Sequence, residues 1–86
     1  MNSKIRTGWG IAHNQAHADD MILLGGQGYA VTGIPEVDHL RADKLRRMGA
    51  HRRAADAAFS RGDHRRMDAE VAECRRISDT LSDCVR

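Results

Sequence analysis

Aromatic residues are scarce in this 86-residue sequence, which contains only Trp9, Tyr29 and Phe59. Many of the other apolar residues are alanines. Burying a large apolar side chain contributes roughly 1.5–3 kcal/mol, whereas ordering one residue costs about 1.5 kcal/mol. A monomer with so few large side chains has a thin core. We therefore expect a homodimer or a bound partner to cover part of its apolar surface.

Cysteine is also scarce, and the two that are present, Cys74 and Cys84, do not make a disulfide framework. They are ten residues apart on one predicted helix. That spacing is about 15 Å along the helix axis, which is too far for a bond between them. We interpret both as small buried apolar residues.

Long hydrophobic runs are missing from the sequence. No segment is apolar for long enough to span a bilayer, and no apolar signal-peptide core follows the N-terminus. These absences predict a cytoplasmic protein without a membrane partner.

Recognisable enzyme motifs are missing as well. The glycines at positions 25, 26 and 28 are not followed by Gly-Lys-Ser or Gly-Lys-Thr, which excludes a phosphate-binding loop of that type. No serine lies in a nucleophile-elbow context, and neither cysteine has a catalytic signature beside it. We predict no enzyme activity, no catalytic residue, no cofactor and no small-molecule substrate.

Two histidines have a spacing that is found in metal sites. His13 and His17 would share one face of a helix, and Asp20 would be a third ligand. The zinc-protease pattern needs Glu directly after the first His, where this sequence has Asn14. Histidines in a polar N-terminal segment are usually solvated, so we predict no metal site.

Two long helices are predicted over residues 36–59 and 64–84. Apolar residues recur at steps of three and four in both, which is typical of one buried helix face. Gly62 suits the left-handed residue that closes the first helix, and Asp63 suits the N-cap of the second. The pattern predicts a mainly α protein built on an antiparallel helical hairpin. The predicted core residues are Leu45, Met48, Phe59, Met67, Val71, Ile77 and Leu81.

Residues 1–35 are predicted to form an N-terminal arm and cap, within a single domain of residues 1–86. Residues 1–10 are interpreted as an irregular arm that Trp9 anchors. Residues 11–20 contain few helix breakers and are compatible with one or two helical turns.

A small β-hairpin is predicted over residues 21–32, where two short apolar segments flank a glycine-rich turn. A helix that continues through Leu24 is the competing interpretation, because short apolar runs are ambiguous. Pro35 fits the first turn of the following helix, and Glu36 and Asp38 suit the positive end of its dipole.

Gly49 lies in the middle of the first long helix, where glycine costs about 1 kcal/mol relative to alanine. Two interpretations stay open: a continuous helix, or a break into segments 36–48 and 50–60. A break would create a helix–turn–helix in which Arg52 and Arg53 lie at the start of the recognition helix.

Basic residues are concentrated in residues 41–66, which hold nine Arg or Lys against three acids, although the net charge of the chain is only +2. Most of the nine are Arg, which favours planar contacts to carboxylates or phosphates. Trp9 is added as a candidate partner contact, since Trp is enriched among binding hot spots. The predicted partner-binding residues are Trp9, Arg46, Arg47, Arg52, Arg53, Arg65 and Arg66.

These observations predict a small non-catalytic interaction module that docks on a larger protein complex. Its size and composition suit an accessory protein of a phage or mobile element that inhibits or decorates a larger machine. The alternative is a small nucleic-acid-binding protein that uses the Arg-rich segment 41–66. A structural homodimer of paired hairpins is a third interpretation.

Overall fold

The structure is a computed structural model that describes residues 4–83, and of residues 82 and 83 it describes the backbone alone. Its elements are β1 (Ile5–Thr7), β2 (Gly10–Ala12), α1 (Gln15–Gly26), α2 (Pro35–Ser60) and α3 (His64–Asp83). The chain divides into two compact units, and the boundary lies within α2, between Asp43 and Lys44. The predicted mainly α fold with an N-terminal β-hairpin is confirmed. The single domain stays a prediction.

The first unit begins with an antiparallel hairpin in which Thr7 pairs with Gly10. The intervening turn consists of Gly8 and Trp9. The Thr7 hydroxyl donates to the carbonyl of Gly10 and accepts from the backbone N–H of Trp9. Gly10 has a φ of +126°, a conformation that glycine adopts without a steric penalty. Part of the segment interpreted as an irregular arm is therefore regular strand.

The hairpin predicted over residues 21–32 is wrong, and the competing helix through Leu24 is confirmed. Met21 and Leu24 are both buried and lie three residues apart, which is helical rather than strand spacing. Asn14 caps the start of α1, because its side-chain oxygen accepts from the N–H of His17 at 2.8 Å. These two features extend the predicted one or two turns into a helix of 12 residues.

The core of the first unit is small. Ala12, Ala18 and Met21 are buried together, and Ile5 and Val31 pack against them. Ile5 and Ala12 are paired across the hairpin and so lie on the same face of it. Leu24 and Ala42 are also buried in this unit, so three of its five buried apolar residues in the described chain are alanines.

In the second unit, the part of α2 from Lys44 onward packs closely against α3. Gly62 closes α2 with a φ of +77°, as predicted. Asp63 caps α3, because its side chain accepts from the N–H of Arg66 at 3.1 Å. The predicted helix end at Cys84 lies outside the described residues.

Helix α2 runs through Gly49 without a break, so the helix–turn–helix interpretation is wrong. Single glycines are tolerated in helices when the residues on both sides favour the helix. Here the segment after Gly49 is rich in alanine and arginine, which are strong helix formers. Arg52 and Arg53 therefore lie in the middle of a continuous helix.

Six of the seven residues predicted for the core of the helical hairpin are buried or half-buried. Leu45, Ile77 and Leu81 are buried, whereas three further predicted core residues are half-buried. Phe59 is a correction, because 61% of it is exposed. The alanines at positions 55 and 58 are buried instead. Phe59 lies about 100° around the helix from Ala58 and therefore points away from the buried face. The half-buried predicted core residues are Met48, Met67 and Val71.

Cys74 is half-buried and not fully buried as predicted, and Cys84 lies outside the described residues. The Cys74 thiol donates to the backbone carbonyl of Met48 at 3.3 Å. Across the described residues 4–83, no helix combines the length and the apolar composition that a membrane crossing requires.

Replacing Gly49 with alanine should stabilise the protein. The new Cβ would meet only the end of the flexible Arg53 side chain, at 3.4 Å. We expect the free energy of unfolding to rise by up to about 1 kcal/mol, which raises the melting temperature by roughly 4–8 °C. Circular dichroism during heating measures this change.

The matched control is Gly62→Ala, the same substitution at a residue with positive φ. It should lower the free energy of unfolding by about 1 kcal/mol. A loss of stability in Gly49→Ala comparable to that in Gly62→Ala would contradict a continuous α2.

Candidate functional site

A buried hydrogen bond between His17 and Asp38 joins α1 to α2 within the first unit. His17 Nε2 lies 2.7 Å from Asp38 Oδ2, and the two side chains are 1% and 0% exposed. Asp38 also accepts from the backbone N–H and hydroxyl of Thr32, at 2.9 and 2.7 Å, and from the N–H of Gly33 at 3.0 Å. The backbone N–H of His13 donates to His17 Nδ1, so the proton of a neutral His17 ring lies on Nε2 and points to Asp38.

The hydrogen bonds to Asp38 decide its ionisation. Burial raises the pKa of Asp38, but the hydrogen bonds from His17, Thr32 and Gly33 outweigh it and hold the pKa below the ordinary value of 3.8. The side chain is therefore ionised at neutral pH. Because the pair is closed to solvent, we assign it a structural role: it holds α1, the loop before α2 and α2 itself together.

Two of the three residues considered as metal ligands, His17 and Asp20, are engaged with other side chains. Both ring nitrogens of His17 are already engaged in hydrogen bonds. Asp20 is buried beside His39, with 3.1 Å between its Oδ2 and His39 Nδ1. Among residues 4–83, no group of three or more His, Cys, Asp or Glu side chains is arranged to hold a metal ion.

Arg41 belongs to the Arg-rich segment, but it is fully buried. One of its guanidinium nitrogens donates to the carbonyl of Ala30, and its Nε and Nη2 atoms have no hydrogen-bond partner in the described chain. Because the side chain is inaccessible, Arg41 contributes no surface charge for a partner.

Trp9 is held on α1 and half exposed. A Cβ atom at Gly25 would lie 2.2 Å from the Trp9 ring, so the indole packs directly on the glycine backbone. Ile22 lies one turn earlier on the same helix face. Trp9 and Ile22 are 46% and 49% exposed. We refer to Trp9, Ile22 and Gly25 as the Trp9 patch.

The six predicted arginines are all exposed, but they do not share one surface. At about 100° per residue, Arg46 and Arg53 lie on one face of α2, whereas Arg47 and Arg52 lie roughly 140° apart. Near the start of α3, Arg66 forms an ion pair with Glu70 at 3.3 Å.

Arg47 alone among the predicted arginines lines a cleft between α2 and α3 of about 350 Å³. Sequence reasoning missed the other basic residues of this cleft. The signal on α2 was the helical spacing of Lys44, Arg47 and His51, and Arg76 is brought beside them by α3. We call this the basic cleft. It is lined by Lys44, Arg47, His51, Glu73, Arg76, Ile77 and Thr80.

The acids near the basic cleft are engaged by neighbouring bases. Glu73 pairs with Arg76, and Glu70 lies 2.8 Å from His51 Nδ1. The hydrogen bond from His51 lowers the pKa of Glu70, and the charges of His51 and Arg66 add to this effect against the desolvation that raises it. Lys44 donates to the carbonyl of Thr80 at 3.5 Å.

The sequence matches no family model, and neither a curated protein nor a solved structure is significantly similar to it.

The lowered pKa of Asp38 predicts a loss of stability in acid. A carboxylate whose pKa is lower in the folded than in the unfolded state stabilises the fold above its unfolded pKa. That contribution disappears as the pH falls through the folded pKa. We expect the free energy of unfolding to decrease progressively below about pH 4.

The variant Asp38→Asn should lose this acid-dependent component and be less stable at pH 7. Its amide N–H₂ would face groups that are already donors, at a cost of about 1–3 kcal/mol. Urea unfolding at several pH values measures both effects. Asp68→Asn, at an exposed acid, is the control and should retain wild-type stability. Equal pH profiles for Asp38→Asn and the wild type would contradict the assignment.

Gly25→Ala should displace the Trp9 ring, because no room exists for the added methyl group. We expect a red shift of tryptophan emission and a loss of about 1–3 kcal/mol of stability from overpacking. Trp9 is the sole tryptophan, so the emission reports this site directly. Gly26→Ala, whose Cβ would meet nothing within 4 Å, should leave the emission unchanged. Identical spectra of the two variants would contradict the packing of Trp9 on Gly25.

Proposed function

We propose that this protein is a small non-catalytic interaction module that docks on a larger protein through the Trp9 patch. The observation that carries the proposal is a tryptophan that is half exposed and yet seated on the backbone of a helix. Trp is enriched among interface residues that contribute most of the binding energy. A ring that is already fixed loses little conformational entropy on binding.

Other exposed apolar residues in the first unit support this assignment. Ile11, Ile34 and Leu40 are each about half exposed. Exposed apolar side chains are common on protein surfaces, but each of these adds apolar area that a partner could cover. Within the proposal, the protein acts in the cytoplasm as an accessory factor that inhibits or decorates a larger complex, as a phage or mobile-element protein would.

The test compares tagged wild type and Trp9→Ala as baits in an extract of the native cell, with and without nuclease. The captured protein is then purified and titrated with each variant. We expect Trp9→Ala to weaken binding by about 2 kcal/mol, roughly thirtyfold. Phe59→Ala, which removes the exposed aromatic residue of the second unit, is the matched control and should bind like the wild type.

Two results would refute the proposal. One is a partner whose affinity does not change in Trp9→Ala. The other is capture that disappears when nuclease is added, because the bait would then be holding nucleic acid.

A nucleic-acid-binding protein is the second candidate, and the basic cleft is the observation that favours it. Phosphate-driven binding falls linearly with log salt, with a slope near −0.9 per phosphate contact on duplex DNA. We rank this candidate second because the exposed arginines of α2 point in different directions. We expect no DNA or RNA binding tighter than about 10 μM at about 150 mM salt. Salt-sensitive binding that is lost in an Arg47→Ala, Arg76→Ala variant would reverse the ranking.

A homodimer is the third candidate, since two hairpins with thin cores would gain buried area by pairing. Sedimentation at micromolar concentration distinguishes it. A monomer that unfolds in a single step would count against self-association.

A further inference from the structure

We propose that the basic cleft binds an acidic, extended segment of a partner protein, whose carboxylates lie between the cations of α2 and α3. This inference deepens the proposed function, on which it rests for the class of partner, by naming the chemistry of a second contact. It concerns the second unit alone, and none of its residues belongs to the Trp9 patch.

Cations line both walls of the basic cleft. The cations on α2 are Lys44 and Arg47, which share one helix face with His51, whose Nδ1 lies 2.8 Å from Glu70 Oε2. Arg76 lines the opposite wall, on α3. A carboxylate that enters the cleft meets a positive charge on either side. The arginines also offer planar donor pairs that match a carboxylate.

The residues that line the cleft include fewer acids than cations. Glu73 is the one acid among the lining residues, against two arginines and a lysine. Its ion pair with Arg76 is on the surface, with 73% of the Arg76 side chain exposed. Exposed pairs of this kind are worth about 0–1 kcal/mol, so a carboxylate of a partner can exchange with Glu73 at little cost.

A peptide fits the lining better than a nucleic acid does. Single strands bind in grooves that combine cations with aromatic stacking platforms. The cleft lining contains no Phe, Tyr or Trp. Arg46 and Arg53 lie on the opposite side of α2 from the residues that line the cleft, so the line of charge is short. Ile77 and Thr80 instead offer an apolar contact and a hydroxyl to a peptide backbone.

The dimensions set the probe. Lys44 and His51 are about 10 Å apart along the axis of α2, which corresponds to roughly three residues of an extended peptide. Alternate residues of an extended chain point to the same side. The matching segment therefore carries acids at alternate positions, with apolar residues between them.

The test uses a fluorescein-labelled peptide of about six residues in which Glu alternates with Leu, long enough to cover the cleft. Fluorescence anisotropy measures its affinity for the full chain at low salt. Amide chemical shifts should change at residues 44–51 and 73–80. A matched peptide with Gln in place of Glu should bind at least about tenfold more weakly if the carboxylates carry the interaction.

The decisive variants reverse two charges inside the cleft or two that do not line it. Arg47→Glu with Arg76→Glu alters the cleft, whereas Arg46→Glu with Arg75→Glu makes the same charge change at exposed neighbours. We expect the first pair to weaken peptide binding by at least about tenfold and the second by less than about threefold. Circular dichroism verifies that both variants are folded.

Three results would overturn the proposal: equal losses in the two double variants, equal binding of the Glu and Gln peptides, or tighter binding of an oligothymidylate than of the Glu peptide. Trp9→Ala should bind the Glu peptide like the wild type. A failure of the cleft proposal with Trp9-dependent partner capture intact leaves the proposed function standing. Peptide binding in the cleft together with partner capture that does not depend on Trp9 would refute the proposed function and leave the cleft proposal standing.

Discussion

The carboxylate of Asp38 is the interaction on which the first unit depends. It accepts hydrogen bonds from His17, Thr32 and Gly33. His17 lies on α1, whereas Thr32 and Gly33 lie in the loop that leads into α2. A buried carboxylate without such donors would be strongly unfavourable. With them, it fixes these segments in one arrangement, because leaving any of these hydrogen bonds unmade would leave a buried polar group unpaired. Hydrogen bonds to a buried carboxylate thus fix the arrangement of these segments, a role that a larger apolar core usually has.

The shortage of large apolar side chains has a different consequence in the second unit. Ala55 and Ala58 are buried in α2, and with Leu45, Ile77 and Leu81 they make up the buried apolar residues of this unit up to residue 81. Small side chains allow helices to approach closely, but each contributes little buried area. Phe59, which could have added most to this core, is exposed instead. The hairpin therefore relies strongly on its turn, where Gly62 and Asp63 end one helix and begin the next.

The helical hairpin could be predicted from the sequence because its signals are local. Steps of three and four, a glycine with positive φ and an Asp cap all act within a few residues. The misplaced β-hairpin shows where local signals conflict. The glycines at 25 and 26 resemble a turn, but both lie inside α1. The Trp9 ring occupies the space that a side chain at position 25 would fill, so glycine is required there. That reason is tertiary, and no pattern near residue 25 reveals it.

The candidate sites were predictable to a smaller extent. Trp9 was identified from residue type alone, whereas its support by Gly25 depends on the fold. The arginines were grouped because they are neighbours in the chain, yet neighbours on a helix diverge by about 100°. Only Arg47 of that group lines the basic cleft, and it is joined there by Arg76 from another helix. Likewise, the sequence indicated only that Asp38 suits the helix dipole. Its hydrogen bond to His17 spans 21 residues, so no local pattern reveals it.

The two proposed surfaces differ in the physics of their binding energy. Contacts at the Trp9 patch would draw on desolvation of apolar area, which salt affects little. Contacts in the basic cleft would draw on exposed charges, which are screened within about 10 Å at 0.1 M ionic strength. Charge at such a surface acts mainly on the rate of encounter and on the choice of partner. The two surfaces would therefore act on different quantities. The Trp9 patch would set the dissociation rate of a partner, and the basic cleft would set the association rate and the preference for acidic partners.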